Sequence, residues 1–127
     1  MPLNILLVDD DENILFLFGL ALEENGFRVQ TAATGAEALS LIGAIEFDVI
    51  LLDYRLSDQD GVSLAKEIQK INDKTKIIVV IGNGDLMFSQ DMDKSISKVL
   101  LKPVTEETLV SEIHTVLGQD SSVAEVS

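Results

Sequence analysis

Four charged side chains come directly after apolar runs of the sequence: Asp9, Asp10, Asp53 and Lys102. Each run consists of β-forming residues and predicts a strand buried on both faces, as in a parallel sheet, at 5–8, 49–52 and 99–101. The carboxyl ends of parallel strands meet at one edge of a sheet, where ligands of such folds gather. We therefore expect the four side chains to converge in one crevice.

Three carboxylates in one crevice repel one another, which raises their pKa values unless a cation offsets the charge. A site that offers oxygen ligands and leaves some coordination positions to water suits Mg²⁺. A metal beside Asp53 would make this carboxylate competent as a nucleophile in phosphoryl transfer, and Lys102 would supply a second positive charge. The alternative is that the four acidic residues at 9–12 merely interact with the N-terminus of a helix. This alternative explains one or two acidic residues well, but it explains four poorly.

Alternating strands and helices must position these residues. Apolar runs predict five strands, at 5–8, 27–32, 49–52, 77–81 and 99–101. Amphipathic segments predict five helices, at 11–25, from 34 onward, at 61–72, at 85–96 and around 109–117. This alternation predicts an α/β fold, a doubly wound five-stranded parallel sheet with five helices.

Composition excludes several classes of function. The 127 residues suffice for one domain, which we place at 1–118, followed by a polar tail at 119–127 that we expect to be disordered. A net charge of −13 excludes the basic surface of a nucleic-acid-binding domain and argues against docking on an anionic membrane. The chain has no cysteine, and neither a signal peptide nor a membrane span is predicted, so we expect a soluble cytoplasmic protein.

The motifs together resemble the receiver domain of response regulators in two-component signalling, over residues 3–117. The matching residues, in order, are Asp9 and Asp10, Asp53, Gly61 and the Lys-Pro pair at 102–103. The resemblance implies a flavodoxin-like sheet with strand order 2-1-3-4-5. It also implies a signalling module rather than an enzyme acting on metabolites, with phosphoryl transfer and hydrolysis on its own aspartate only.

The resemblance assigns roles to the residues of the crevice. It implies that Asp53 accepts a phosphoryl group from a histidine kinase or a phosphotransfer protein. Asp10, Asp53 and the backbone carbonyl of Arg55 would bind Mg²⁺ (or Mn²⁺) directly, and Asp9 would bind it through water. Lys102 would contact Asp53 and then the phosphoryl oxygen.

Two positions depart from the pattern of this family. The fourth strand of a receiver usually ends in Ser or Thr, which binds the phosphoryl group, but here the residue is Ile81. Its usual aromatic partner, three residues before the lysine, is replaced by Val99. Residues 76–88 contain no hydroxyl group, so we expect a non-standard output switch that acts through another surface or the loop at 82–88.

Three other functions compete with a phosphoacceptor. A pseudo-receiver would bind proteins without regard to phosphorylation, and the two replaced switch positions favour it. A haloacid-dehalogenase-like phosphatase needs a second Asp two residues after the first, where Arg55 stands. A flavodoxin-like flavin or nucleotide binder needs a phosphate-cradling loop after strand one, where this chain is acidic.

The first helix carries a candidate docking surface. A helical wheel places Ile14, Leu17, Phe18 and Ala21 toward the core, whereas Phe16 and Leu20 point largely elsewhere. An apolar pair on an outer face can mark a docking site, and in receivers this helix usually contacts the helical bundle of the kinase. The alternative is that Phe16 and Leu20 extend the core at the edge of the helix.

Overall fold

Five strands form one parallel sheet in the order β2-β1-β3-β4-β5, which confirms the predicted doubly wound α/β fold. The computed structural model describes residues 2–82, 84–85 and 94–118. The strands are β1 (Asn4–Val8), β2 (Arg28–Ala32), β3 (Val49–Asp53), β4 (Lys76–Ile81) and β5 (Lys98–Leu101). The described residues contain four α-helices, α1 (Glu12–Glu24), α2 (Gly35–Ala44), α3 (Gly61–Ile71) and α4 (Glu106–Val116).

The sheet separates two hydrophobic clusters, and β3 lies at its centre. All five residues of β3 are buried, because alternate side chains enter the two clusters on opposite faces. Ile50 and Leu52 pack with α2 and α3, whereas Val49 and Leu51 pack with α1 and α4. Asp53 is thereby fixed at the end of the best-buried strand of the fold.

The helices begin at the side chains that the sequence offers as caps. The Asp11 carboxylate accepts a hydrogen bond from the N–H of Asn13, and the Thr34 hydroxyl accepts one from Glu37. Asp60 and Thr105 cap α3 and α4 in the same way. These caps fix the points at which the chain leaves the carboxyl edge of the sheet, next to the acidic residues.

Two apolar residues of the helices are exposed, and one of them, Leu17, was predicted to face the core. Leu17 in α1 is 56% exposed, because the packed side of the helix is turned toward Leu15, Gly19 and Leu22. Ile71, the last residue of α3, is 53% exposed, since the helix runs past the edge of the core there.

Some predictions fall outside the described residues. The predicted helix at 85–96 lies mostly on residues 86–93, which are outside the described residues; of its described part, 85 belongs to a short 3-10 segment and 94–95 form a turn. The predicted tail at 119–127 lies outside as well. Among the residues that the structure describes, no helix combines the length and hydrophobicity needed to cross a bilayer.

Candidate phosphoacceptor site

Asp53 and Lys102 meet at the carboxyl edge of the sheet. Asp53 ends β3 and is 7% exposed, and Lys102 follows β5, two strands away. The Lys102 Nζ lies 3.1 Å from Oδ1 of Asp53. The backbone N–H of Lys102 donates to the carbonyl of Ile81, which holds the start of this loop against β4. The sequence prediction that these two side chains converge is thus realised.

Asp9 and Asp10 complete the acidic cluster from the end of β1. Carboxylate oxygens of Asp9, Asp10 and Asp53 all lie within 4.8 Å of one another. Asp9 is buried and Asp10 is exposed, so the cluster opens to solvent on the side of Asp10. The Asp9 carboxylate accepts a hydrogen bond from the N–H of Asp11 at 2.9 Å, which fixes its orientation.

The charge of Asp9 is unfavourable in the protein alone. Burial raises the pKa of Asp9 from 3.8 to about 6, and the nearby charges of Asp53 and Asp10 add to this effect. The hydrogen bond from Asp11 and the charge of Lys102 oppose it without cancelling it. The single positive charge of Lys102 therefore does not balance the three carboxylates of the site.

The donor set fits a small divalent cation. Oxygens around octahedral Mg²⁺ lie about 2.1 Å from the metal, so that neighbouring ligands are about 3 Å apart and opposite ones about 4 Å apart. The three carboxylate oxygens already lie within 4.8 Å of one another, so small side-chain movements would bring them to these distances. A hard cation would also supply the missing positive charge beside Asp9.

A crevice of about 570 Å³ gives access to the cluster. One wall is acidic and ends at Lys102, which is the cation that lines the crevice among the described residues. The opposite wall is apolar. It is formed by side chains of α1, of the loop between β5 and α4, and of α4, namely Ile14, Phe18, Val104 and Leu109. The acidic wall would repel an anionic group unless a bound cation offset its charge, and the crevice offers an apolar surface beside this wall.

The loop after Asp53 is held at both ends. The N–H of Gly61 donates to the carbonyl of Tyr54 at 2.7 Å, and Arg55 forms an isolated β-bridge with Asp60. A Cβ at position 61 would lie 2.9 Å from the backbone oxygen of Asp53, so glycine is required for this close approach. The backbone that follows Asp53 is therefore rigidly placed beside the acidic cluster.

Asp58 connects the same loop to α2. Its carboxylate accepts hydrogen bonds from the N–H groups of Gly35 and Ala36, at 2.9 and 3.0 Å. These bonds satisfy N–H donors that have no partner within the helix. They also lower the pKa of Asp58, and the hydrogen bond from Gly35 contributes most to this shift.

Comparison with known proteins decides the family. Residues 5–114 match the family model described as the response regulator receiver domain. The chain belongs to the response regulator receiver family. The "Transcriptional regulatory protein GlrR" of Escherichia coli K12 is 33% identical to this receiver domain over 121 residues, which cover 94% of this chain and 27% of GlrR. The receiver domain spans between about a quarter and about half of the length of such curated relatives.

Solved structures agree with this assignment. A response regulator receiver domain from Clostridium thermocellum superposes with a TM-score of 0.85 and 29% identity, covering 92% of this chain and 95% of that one. A CheY-like receiver domain from Methanospirillum hungatei gives a TM-score of 0.83 and 31% identity, covering 94% and 97%. This receiver domain is therefore a signalling module rather than a classical enzyme, and its acidic pocket is consistent with phosphoacceptor function.

The two predicted switch positions carry apolar side chains in this receiver domain. Ile81 is 1% exposed at the end of β4 and packs in the cluster beneath α2 and α3. Val99 lies on β5 opposite Val79, half-buried against the same cluster. Neither side chain carries a polar group.

Sequence reasoning missed an ion pair beside the site. The guanidinium of Arg55 binds the Asp85 carboxylate in a bidentate manner, with Nε 2.9 Å from Oδ2 and the terminal nitrogen on Oδ1. The Asp85 side chain is 5% exposed and that of Arg55 is 73% exposed. The signal in the sequence is a pair of opposite charges shortly after β3 and β4, two strands that are neighbours in the sheet.

The candidate docking residues of the receiver domain are exposed. Phe16 is 68% and Leu20 is 46% exposed, so they do not extend the core. They line a groove between α1 and the edge strand β2, whose other residues include the acidic side chains Glu12, Glu23 and Glu37.

Proposed function

We propose that this receiver domain accepts a phosphoryl group on Asp53 in a Mg²⁺-dependent step. The observation that carries the proposal is the cluster of three carboxylates whose oxygens lie within 4.8 Å, with Lys102 at 3.1 Å from Asp53. This arrangement combines a nucleophile, a cation site and a positively charged partner for the incoming oxygens. A carboxylate cluster that served only as a helix cap would need neither the buried Asp53 nor Lys102.

Each residue has a distinct task in this step. An oxygen of Asp53 forms a bond to phosphorus while the bond from phosphorus to the donor nitrogen breaks, and the donor imidazole keeps the electron pair. Lys102 moves from the Asp53 carboxylate to an oxygen of the phosphoryl group, where it offsets negative charge. The apolar wall of the crevice excludes water on the side of α4.

The metal site draws on the same residues. Asp10, Asp53 and the backbone carbonyl of Arg55 would bind Mg²⁺ or Mn²⁺ directly, and Asp9 would bind it through water. When bound, the cation would neutralise charge on the phosphoryl oxygens. The exposed position of Asp10 and the rigid loop that contains Arg55 support these assignments.

The phosphoryl donor is a histidine kinase or a phosphotransfer protein. Receiver domains pair with histidine kinases, and we propose that Phe16 and Leu20 contact the helical bundle of this partner. Their exposure leaves them available, and the acidic rim of the groove favours a partner with basic side chains around an apolar stripe. The downstream partner must then read the phosphorylated state without the usual switch pair.

A second candidate is a pseudo-receiver, a protein-interaction domain that ignores phosphorylation. The buried Ile81, which offers no hydroxyl to a phosphoryl group, is the observation that favours it. The 3.1 Å contact between Lys102 and Asp53 opposes it, because a domain without phosphoryl chemistry has no need of this pair.

Incubation with Mg²⁺ and acetyl phosphate separates the two candidates. The phosphoacceptor should gain the mass of one phosphoryl group, since acetate leaves as the bond from Asp53 to phosphorus forms. Asp53→Ala should abolish the gain, and Asp73→Ala, at an exposed turn, should not. No mass gain in the wild-type protein at saturating Mg²⁺ would establish the pseudo-receiver instead.

The docking surface is tested separately with the cognate kinase. Phe16→Ser with Leu20→Ser should slow phosphotransfer while phosphorylation by acetyl phosphate is unchanged. Ile71→Ser, at an equally exposed residue of α3, is the matched control. Equal loss of both reactions, or unfolding of the double variant, would rule out a docking role.

A further inference from the structure

The Arg55–Asp85 ion pair joins the two loops that flank the phosphoacceptor. Arg55 lies two residues beyond Asp53, and Asp85 lies four residues beyond the end of β4. The N–H of Asp85 donates to the carbonyl of Gly82, so a tight turn presents the carboxylate to Arg55. This pair is therefore the described side-chain connection between the loop after β3 and the turn after β4.

The two partners differ in their freedom to move. The backbone of Arg55 is fixed by its bridge to Asp60 and by the hydrogen bond from the N–H of Leu56 to the carbonyl of Gln59. Its long side chain is 73% exposed, whereas the Asp85 carboxylate is 5% exposed. The guanidinium can thus change partner without any change in the backbone, but the Asp85 carboxylate cannot easily do so.

A phosphoryl group on Asp53 would compete with Asp85 for this guanidinium. Such a group carries a charge of about −1.5 to −2 and three acceptor oxygens, whereas Asp85 offers one charge and two oxygens. Among the described residues, Lys102 is the one cation that lines the crevice, and Ile81 offers no hydroxyl. The planar fork of an arginine matches phosphoryl oxygens, and Arg55, two residues beyond Asp53, carries such a fork.

Electrostatics already connect Arg55 to Asp53. The pKa of the Arg55 guanidinium is raised, first by the hydrogen bonds and charge of Asp85 and to a lesser extent by the charge of Asp53. A phosphoryl group adds negative charge at Asp53. It therefore increases the attraction between Arg55 and Asp53 and leaves the attraction between Arg55 and Asp85 unchanged.

We propose that Arg55 changes partner upon phosphorylation: its guanidinium leaves Asp85 and binds the phosphoryl oxygens on Asp53. This inference rests on the proposed function of Asp53 as phosphoacceptor. The buried Asp85 carboxylate then loses its ionic partner, and its surroundings must rearrange to let water reach it. The turn after β4 thereby reports phosphorylation in a chain whose fourth strand ends in Ile81.

Arginine side-chain NMR tests the exchange directly. The sequence contains two arginines, Arg28 and Arg55, so the Nε–Hε region of the spectrum holds two signals, and Arg28 on β2 is the internal control. Beryllofluoride with Mg²⁺ stands in for the phosphoryl group, and the fluorine signal of the bound species reports occupancy, with Asp53→Ala as the blank. We expect the Arg55 signal and the Asp85 amide to shift, and Arg28 to stay in place.

The two proposals fail in different ways. Absence of a bound fluorine signal would overturn the phosphoacceptor function, and the exchange with it. A bound fluorine signal accompanied by an unmoved Arg55 signal would overturn the exchange alone. Mg²⁺ without beryllofluoride should leave Arg55 on Asp85, and a shift of equal size with the metal alone would contradict the requirement for the phosphoryl group.

Affinities for beryllofluoride give an independent test, because coupling between two sites is reciprocal. Asp85→Asn keeps the shape of the side chain and removes its charge, so it should tighten beryllofluoride binding roughly 5- to 10-fold. Arg55→Gln should weaken it by a similar factor. In the double variant, Asp85→Asn should have no further effect.

A purely structural pair would behave differently. If the ion pair only holds the loops together, both single variants weaken binding, and such a result would refute the exchange. Lys98→Gln and Glu112→Gln remove another surface pair, with 3.8 Å between Lys98 Nζ and Glu112 Oε2, and serve as matched controls. We expect less than 2-fold change for either control.

Discussion

Asp9→Asn should stabilise the metal-free protein at neutral pH. The pKa of Asp9 rises from 3.8 to about 6 on folding, chiefly because of burial, so the folded state binds a proton more tightly than the unfolded state. The free energy of unfolding of the wild-type protein must therefore fall as the pH rises from about 4 to about 6, and the loss remains above that range.

The magnitude follows from the shift. One pKa unit corresponds to about 1.36 kcal/mol, so a change from 3.8 to about 6 costs the charged form about 3 kcal/mol. Asparagine carries no charge, and its Oδ1 can still accept the hydrogen bond that Asp11 donates to Asp9 at 2.9 Å. We expect Asp9→Asn to be more stable than the wild type by about 2–3 kcal/mol at pH 7.5, and nearly equal to it at pH 4.

Urea denaturation without divalent cations, at both pH values, measures this difference. A gain of this size moves the midpoint by about 1–2 M for a domain of this length. Saturating Mg²⁺ should stabilise the wild type, because the cation offsets the charge on Asp9. The difference in stability between Asp9→Asn and the wild type should then become smaller. Asp73→Asn, at an exposed turn, is the control and should change little. A gap that is the same at pH 4 and pH 7.5 would refute the reasoning.

Three further changes test the framework of the site. Gly61→Ala should cost about 2–3 kcal/mol and weaken Mg²⁺ binding, because its Cβ would lie 2.9 Å from the backbone oxygen of Asp53; urea denaturation and a Mg²⁺ titration measure both. Gly43→Ala, which meets nothing within 4 Å in α2, should instead stabilise by about 0.5–1 kcal/mol in the same assay. Thr34→Ala removes the cap of α2 and should cost about 1 kcal/mol, and an unchanged midpoint would argue against the cap. Beryllofluoride with Mg²⁺ should shift backbone NMR signals near Asp53 far more than those near Val99, and large shifts across β5 and α4 would contradict a non-standard switch.

The sheet and the acidic cluster could be predicted because they depend on local signals. The run of apolar residues before Asp53 identifies a strand buried on both faces, and the observed β3 is buried throughout. The alternation of strands and helices predicts that the strand ends meet at one edge, and the strand order implied by the resemblance to receiver domains agrees with the observed position of Asp9 and Lys102 beside Asp53.

Features that depend on packing or on distant loops could not be predicted. Leu17 fits the apolar stripe of α1, yet it is exposed, since only the packed structure fixes how far each side of the helix enters the core. The Arg55–Asp85 pair joins residues 30 positions apart through a turn whose conformation no local motif specifies. The same holds for Asp58, which caps a helix 22 residues earlier in the chain.

The β3–α3 loop has a consequence for how this domain can be engineered. Surface loops ordinarily accept extra residues, but here Asp58 is tied to α2 while Tyr54 and Gly61 close the loop across its base. One inserted residue would break either the helix cap or the placement of the Arg55 carbonyl. The length of this loop is thus as much a part of the site as its side chains, and a tag or reporter belongs in the turn at 72–74.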